Sequence, residues 1–241
     1  LVTVFAALLV SFLPGDPVRV VAPFASEQQR DEIAADLGVD DPLPVRYVSW
    51  LGGFLTGDLG KTYSGPTSST EVSSQVAEAL PVSLTLMVYA QFIALALAIP
   101  LGVIAAYRAG GWLDRVISSS SFAFLALPAF VLGFLLSYYL RLKLGLFRAE
   151  DGYQPVWEDP IANIEYLALP ALALALGQVA VYSRLLRSDL IATLQQDFIT
   201  MARAKGLSTR RILWRHALRP SSITLLTAAG LNIGTLIGGA L

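Results

Sequence analysis

The hydrophobic positions of the chain are gathered into long runs that contain no charged residue. Runs without Asp, Glu, Lys or Arg occupy residues 1–15, 79–107, 116–140, 166–183 and 220–241. A bilayer core of about 30 Å requires about 20 apolar residues in a helix that rises about 1.5 Å per residue. Three of the runs reach that length, the fourth is close to it, and the first is cut short by the start of the chain. The pattern predicts an all-α polytopic membrane protein, and the alternative is a soluble protein with buried helices.

These runs and their flanking residues predict five spans. The spans cover residues 1–13 (the end of span 1), 82–107, 116–140, 166–187 and 221–241. Pro100 is expected to kink span 2, and span 4 is expected to continue as a helix to about Gln195, beyond the bilayer. Because the chain begins and ends inside apolar runs, we expect a fragment of a longer protein.

The region from residue 14 to residue 81 is polar and rich in turn-forming residues. Ser26-Glu27-Gln28-Gln29 is typical of a capping box at a helix start, and Gly38 is a typical stop. Together they predict one short amphipathic helix over residues 27–37. The turn-rich pieces after it are Asp41-Pro42-Leu43-Pro44, Gly52-Gly53, Gly57-Asp58-Leu59-Gly60 and Ser64-Gly65-Pro66. We expect a small folded cap over the membrane, with a loose loop as the alternative.

The most basic stretch, Asp197 to Pro220, lies between two apolar runs. Good helix formers predict a helix from Asp197 to Lys205, and Gly206 is the residue type found most often just past a helix end. Ser208 is expected to cap a second helix, Thr209 to Leu218. The proline that closes the stretch sits where span 5 would begin. A helix–glycine–helix element between two spans is typical of a docking element.

Composition and charge assign the two sides of the membrane. Hydrophobic residues make up 55% of the chain, charged residues 15%, and the mean hydropathy is +0.61. The connection 184–219 contains eight basic and two acidic residues, and the link 108–115 contains two basic and one acidic. The regions 14–81 and 141–165 contain ten and five acidic residues against four and three basic ones. Because short loops rich in Lys and Arg stay in the cytoplasm, we expect 184–219 to be cytoplasmic and the two acidic regions to be extracytoplasmic.

The sequence lacks the motifs that would give the chain a chemistry of its own. It contains no Walker-type phosphate loop, no HExxH, no GxSxG and no cysteine, and His216 is its one histidine. The charge-free runs of the spans contain no ionisable residue apart from tyrosine, which argues against transport coupled to protons or ions through buried carboxylates. We therefore expect a non-enzymatic membrane subunit with no cofactor, metal or nucleic-acid partner, driven by a separate motor subunit.

A few polar and small residues in the spans are candidates for particular roles. Gln178 and Asn232 could line a translocation path, and hydrogen bonding between helices is the alternative. Gly230, Gly234 and Gly238 recur every four residues in span 5, so this face could let another helix approach closely. The alternative is the general abundance of glycine in an Ala- and Gly-rich chain.

Several short motifs, in order along the whole chain, resemble those of one transporter family. The central one is Thr200-Met201-Ala202-Arg203-Ala204-Lys205-Gly206-Leu207, continued by His216-Ala217-Leu218-Arg219. The others are Pro14-Gly15-Asp16-Pro17, Gly57-Asp58-Leu59-Gly60, Leu80-Pro81-Val82-Ser83-Leu84, Trp112-Leu113-Asp114-Arg115, Leu127-Pro128-Ala129-Phe130 and Tyr166-Leu167-Ala168-Leu169-Pro170. The chain resembles the inner-membrane permease subunits of ATP-binding-cassette (ABC) importers, in the dipeptide/oligopeptide/nickel branch and its B-type subunit. Thr200 stands where the general "EAA" loop pattern has Glu, and Leu218-Arg219-Pro220 stands where that pattern ends in Leu-Pro.

The resemblance implies a type I ABC-importer transmembrane domain with a sixth span after Leu241. It also implies a heteromeric complex in the cytoplasmic membrane of a bacterium or archaeon. Its other members are a second homologous permease, two ATPase subunits that bind ATP and Mg, and an extracytoplasmic substrate-binding protein. The substrates would be di- or oligopeptides, with nickel or another small solute as the alternative within the branch. A membrane receptor or channel that docks a cytoplasmic partner is the alternative from another class.

The resemblance also assigns an ATPase-coupling helix to the cytoplasmic loop 188–219. The residues assigned to this coupling are Asp197, Thr200, Ala202, Arg203, Ala204, Lys205, Gly206 and Leu207. Arg203 and Lys205 are expected to supply charge for the ATPase contact, and Ala202 and Ala204 are small enough for close seating. Gly206 is expected to end the helix so that it can lie across a groove of the ATPase.

Overall fold

The computed structural model describes residues 2–12, 15–23, 25–63, 69–147 and 152–240. The chain divides into two compact units, Leu1–Leu80 and Pro81–Leu241. The predictions for Leu13, Pro14, the turn Ser64-Gly65-Pro66, residues 148–151 and Leu241 lie outside the described residues.

The first unit contains four short helices and a hairpin. Its helices are α1 (Val2–Phe12), α2 (Pro17–Val21), α3 (Glu27–Asp36) and α4 (Leu43–Thr56), and its strands are β1 (Lys61–Tyr63) and β2 (Ser69–Glu71). The strands pair antiparallel, with Thr62 opposite Thr70. A small apolar core of Val18, Ala22, Ala25 and Ile33 holds α2 against α3, and the Tyr63 ring packs on it.

Helix α3 has the start and stop that its sequence specifies. The Ser26 hydroxyl accepts from the Gln29 backbone N–H, and the Gln29 side chain accepts from the Ser26 N–H, which completes the capping box. After the helix, Gly38 adopts a left-handed φ of 58°, as is common just past a helix end.

Helix α4 corrects the expectation of a single short helix between residues 14 and 81. It runs through Gly52-Gly53, which the sequence analysis assigned to turns. Pro at its first turn suits a helix start, and Trp50 stacks on Phe54 at 5.5 Å between ring centroids. An i,i+4 aromatic pair on one face stabilises a helix that two internal glycines weaken.

The rest of the chain is built from long helices. They are α5 (Val72–Tyr107), α6 (Trp112–Ala126), α7 (Ala129–Leu136), α8 (Pro160–Leu194), α9 (Asp197–Ala204), α10 (Thr209–Arg211) and α11 (Leu218–Ala240), with π-helical segments at Ser137–Lys143 and Ile212–Ala217. Within the described residues, α5 and α8 are long and apolar enough to cross a membrane, and α6 with α7 and the π-helical segment after it would be a third, broken span. Helix α5 begins ten residues before the predicted span 2, and α8 begins six residues before span 4.

The predicted span 3 is not one continuous helix. The chain bends by 105° between α6 and the helix that starts at Ala129. Leu127 is extended (φ −98°, ψ 128°), and Pro128 caps α7. Proline lacks an N–H and disfavours the helical conformation of the residue before it, so Leu127-Pro128 ends α6.

The core of the second unit lies where α5, α8 and α11 meet. Much of this core consists of alanine, so the helices pack with little side-chain volume between them. Ala94, Ala98 and Ala175 are fully buried, and Leu186 and Leu225 belong to the same cluster. Gly102 of α5 lies so close to α8 that an added Cβ would be 3.0 Å from the Ser183 carbonyl oxygen. Small side chains therefore set the separation of these helices, as is usual in membranes.

Candidate coupling site

The coupling segment, residues 197–207, consists of α9 and the turn that follows it. Asp197 lies in the first turn of α9 and Arg203 in the last. Charges in this order stabilise the helix, because each interacts favourably with the nearer end of the helix dipole. The Gly206 N–H donates to the Arg203 carbonyl (2.9 Å) and the Leu207 N–H to the Ala202 carbonyl (3.2 Å). These bonds close the end of the helix and turn the chain back toward α10.

Gly206 is required by its backbone conformation and not by crowding. Its φ is 74°, in the left-handed region that side chains with a Cβ adopt at a cost. Within the part of the chain that the structure describes, no atom lies within 4 Å of the place where a Cβ would be added. The turn after α9 therefore depends on a residue that tolerates positive φ.

Helix α9 has one face in the protein core and one face outward. Ile199 is fully buried and Ala202 is 6% exposed, and both belong to the cluster that includes Ile212, Leu213 and Ala217. Ala202 thus packs in the chain's own core, and its part in seating a partner stays a prediction. The alanine is small because α9 packs closely against the segment that returns to α11.

The outward face combines cations with apolar side chains. Of the residues assigned to coupling, Asp197, Thr200, Arg203, Ala204, Lys205 and Gly206 are exposed and Leu207 is half-buried. Phe198 and Met201 are also exposed, at 47% and 59%, although the sequence analysis did not single them out. Their i,i+3 spacing beside polar neighbours was the available signal, because it places both on one side of a short amphipathic helix. Exposed large apolar side chains grouped in this way are typical of an interaction surface.

The segment after the turn is continuous with the last helix. Helix α10, the π-helical segment and α11 follow one another from Thr209 to Ala240 without a break, and Pro220 lies inside the first turn of α11. The expectation of a separate helix ending at Leu218 is therefore wrong. Because the chain is helical on both sides of Pro220, its missing N–H removes one hydrogen bond to the preceding turn, and the π-helical segment lies directly before this position. Ser208 precedes α10 in the extended conformation of a cap, but its side chain makes no capping bond.

An ion pair between a buried carboxylate and a half-buried arginine joins α6 and α8. The Arg187 Nε and Nη2 of α8 donate to the two carboxylate oxygens of Asp114 on α6, at 2.5 and 2.7 Å. The Gly110 backbone N–H donates to the same carboxylate at 2.8 Å. Asp114 is only 5% exposed. This bidentate contact therefore holds the start of α6 against α8 at Arg187. From the sequence alone both residues are loop charges, and no spacing rule joins positions so far apart.

The polar residues of the spans meet in one hydrogen-bonded group. The Asn232 amide of α11 donates to the Gln178 side-chain oxygen (3.1 Å) and to the Tyr182 hydroxyl (3.3 Å) on α8. The Tyr182 hydroxyl is 3.2 Å from the Gln91 side-chain oxygen on α5. The structure thus brings Gln178 and Asn232 together as links between helices, and their lining of a path stays a prediction.

Gly230 and Gly234 of α11 do not pack closely against the described residues of this chain. No atom of the described residues lies within 4 Å of a Cβ added at Gly230 or at Gly234. Gly238 lies in α11, but its surroundings fall outside the described part of the chain. Within the part described, the close approach of helices occurs at Gly102 and not at these positions, so packing at the α11 glycines would need a helix from elsewhere.

Comparison with known proteins identifies the family. The family described as binding-protein-dependent transport system inner membrane component matches residues 98–241. A peptide transport system permease protein by name from Brucella abortus is 34% identical over 241 residues, which is 100% of this chain and 76% of that protein. The oligopeptide transport system permease protein AppB of Bacillus subtilis is 34% identical over 241 residues, and a peptide ABC transporter permease by name from Sinorhizobium fredii is 30% identical over 240. The matched proteins are covered to 76% and 75% of their lengths, and 99% of this chain is covered in both comparisons. The chain therefore belongs to the binding-protein-dependent inner membrane components and is a permease subunit with the transmembrane domain of a type I ABC importer.

Proposed function

We propose that this permease subunit forms half of the translocation path for di- or oligopeptides and that its coupling segment seats in a cytoplasmic ATPase subunit. The observation that carries the proposal is similarity along the whole chain to proteins named as peptide permeases. The geometry of α9 supports it, since one face is anchored in the core and the other offers cations and apolar side chains.

The proposed orientation places residues 184–219 in the cytoplasm and residues 14–81 and 141–165 outside. The charge distribution supports it, because eight of the chain's 17 basic residues lie between Arg184 and Arg219. In this orientation the coupling segment faces the compartment that supplies ATP. ATP and Mg would be bound by the ATPase subunits and no cofactor by this chain.

The proposed complex also contains a second homologous permease, two ATPase subunits and an extracytoplasmic binding protein. Gly230 and Gly234 on α11 support a further helix packing there, since no atom of the described residues lies within 4 Å of a Cβ added at either position. Co-purification tests the composition. Two ATPase chains and a second permease should accompany the tagged subunit, whereas a receptor or channel would lack them.

The substrate is tested by uptake into proteoliposomes that contain the complete complex and its binding protein. We expect ATP-dependent accumulation of labelled di- or oligopeptides. Accumulation of a nickel chelate in place of peptides would contradict the peptide assignment and leave the importer assignment in place.

The coupling role is tested at Gly206. Replacing it with valine forces a β-branched residue into positive φ at a cost of about 1–2 kcal/mol or more, so the turn after α9 should be displaced. We expect ATP hydrolysis that no longer drives uptake, with normal insertion into the membrane. Gly206→Asn is the matched control, because asparagine tolerates this conformation, and it should retain transport. Equal uptake by the valine variant and the parent complex would show that the segment does not couple.

A further inference from the structure

A cleft of about 260 Å³ opens beside the coupling segment. Tyr107, the last residue of α5, and Leu194, the last residue of α8, contribute to its lining. The coupling segment and the start of the returning helix contribute the rest, including Arg203 and Thr209. The cleft therefore lies where two long helices end against the part of the chain proposed to meet the ATPase.

The lining of the cleft combines buried apolar residues with exposed polar ones. Among the lining residues, Ile212 and Leu213 are 4% and 7% exposed, and Leu194 is half-buried. The Arg203 guanidinium and the hydroxyl groups of Tyr107 and Thr209 belong to residues that reach the surface. Sites for small molecules usually enclose about 300–1,000 Å³, so this cleft is too small for most of them and suits one inserted side chain.

The surroundings of the cleft define the chemistry of its occupant. Arg203, Lys205, Arg210 and Arg211 are exposed, and none of them forms an ion pair with any residue that the structure describes. Asp197 is the one acidic residue between positions 190 and 219. A partner that meets this surface gains from acidic residues, and an apolar anchor within a charged rim is the usual arrangement at the centre of a protein interface.

We infer that the cleft receives one aromatic or branched apolar side chain from an acidic surface of the ATPase subunit. The inference rests on the proposed seating of the ATPase at the coupling segment and adds a contact in the opposite direction, from the ATPase into the permease. An anchor in the cleft touches the ends of α5 and α8 directly. Movement of the ATPase is then transmitted to α5 and α8 through this anchor as well as through α9.

The test fills the cleft without changing α9. Thr209→Trp places an indole at the mouth, and Ala192→Trp places the same group at an exposed position on α8 that does not line the cleft. The affinity of the ATPase is measured for the full-length chain assembled with its partner permease in lipid nanodiscs. We expect Thr209→Trp to weaken binding by about tenfold or more and Ala192→Trp to bind as the parent does.

A third variant separates this inference from the proposed function. Lys205→Glu reverses a charge on the outward side of the coupling segment, away from the cleft lining. If Lys205→Glu weakens ATPase binding and Thr209→Trp does not, the cleft is empty in the complex and the inference is wrong, while the proposed seating stands. If neither variant changes binding, the ATPase does not seat at this segment and both are wrong.

Photo-cross-linking keeps the inference testable if Thr209→Trp fails to assemble. Benzoylphenylalanine is introduced in place of Tyr107, which lines the cleft. The substitution keeps an aromatic side chain at this position. We expect an adduct to an apolar residue of the ATPase that has Asp or Glu neighbours, mapped by mass spectrometry. An adduct to phospholipid alone would identify a lipid as the occupant and overturn the inference, and so would the absence of any ATPase adduct from an assembled complex.

Discussion

At the scale of single residues, the Asp114–Arg187 pair joins the start of α6 to α8. The carboxylate is almost completely buried, and both of its oxygens accept from the guanidinium. A buried charge whose partner is removed is strongly destabilising, even where the intact pair adds little over an apolar substitute. The pair therefore fixes which part of α8 contacts α6.

Arg187→Met should lower the free energy of unfolding by about 3 kcal/mol, because it leaves the Asp114 carboxylate buried without a counter-charge. Arg184→Met is the matched control. Arg184 is exposed and lies 4.8 Å from the centre of the Phe122 ring, a contact worth about 1 kcal/mol or less. Thermal unfolding in detergent measures both. Equal losses would contradict the role of the pair, and Asp114→Asn added to Arg187→Met should recover part of the loss.

A second residue-scale prediction concerns Tyr63 and pH. Its hydroxyl donates to Asp36 at 2.8 Å, and burial together with this carboxylate raises the pKa of Tyr63 to about 12. An unperturbed tyrosine has a pKa of about 10, so the stabilising contribution is complete below pH 10 and is lost as the pH rises to 12. Alkaline titration of phenolate absorbance, as the difference between the parent and Tyr63→Phe, should show a step near pH 12. A step near 10 would contradict the contact, and Asp36→Asn should move the step downward.

At the scale of elements, the approach of α5 to α8 depends on one glycine. Gly102→Ala should cost about 1–3 kcal/mol, because the new Cβ would lie 3.0 Å from a backbone oxygen and 3.1 Å from the Leu186 Cβ, neither of which can rotate away. Gly177→Ala on α8 is the matched control. Its Cβ would meet no atom within 4 Å, and it should be neutral or stabilising by up to about 1 kcal/mol. Thermal stability of the two variants in detergent decides the point, and equal stability would contradict close packing at Gly102.

The helices show what local sequence determines and what it leaves open. Helix α3 could be predicted with its ends because the capping box and the glycine stop act within a few residues. The dipeptide Leu-Pro occurs at 127–128 and at 169–170, yet the first ends a helix and the second lies inside α8. Leu169 is 1% exposed and Leu127 is 40% exposed. At Pro170 the helix continues where Leu169 is packed against neighbouring helices. No local sequence pattern indicates which of the two sites will be packed in this way.

The same division applies to the candidate site. The turn at Gly206 and the cations of α9 follow from local sequence, whereas the burial of Ala202 follows from contact with Ile212 and Leu213. The joining of Gln178, Tyr182 and Asn232 likewise depends on how α8 and α11 pack. A single sequence contains the polar residues of the spans but not their pairing.

At the scale of the whole molecule, the orientation in the membrane can be measured with single cysteines, since residues 1–241 contain none. Cysteine at Gln28 or Glu158 should react with a membrane-impermeant maleimide in intact spheroplasts, because both positions are exposed in regions proposed to be extracytoplasmic. Cysteine at Ser208 should react only after permeabilisation. Labelling of the Ser208 position in intact spheroplasts would reverse the proposed orientation.

The length of α8 has a mechanical consequence. Its 35 residues extend about 52 Å, whereas the hydrocarbon core is about 30 Å thick, so the helix projects beyond the core. At one end the fully buried Asn163 accepts from the Tyr89 hydroxyl and donates to the Gln154 carbonyl; at the other Leu194 precedes the coupling segment. A rigid rod of this length that tilts by about 5° around its middle moves its two tips by about 2 Å in opposite directions. A small tilt of α8 as a unit would therefore displace its Asn163 end and the coupling segment together.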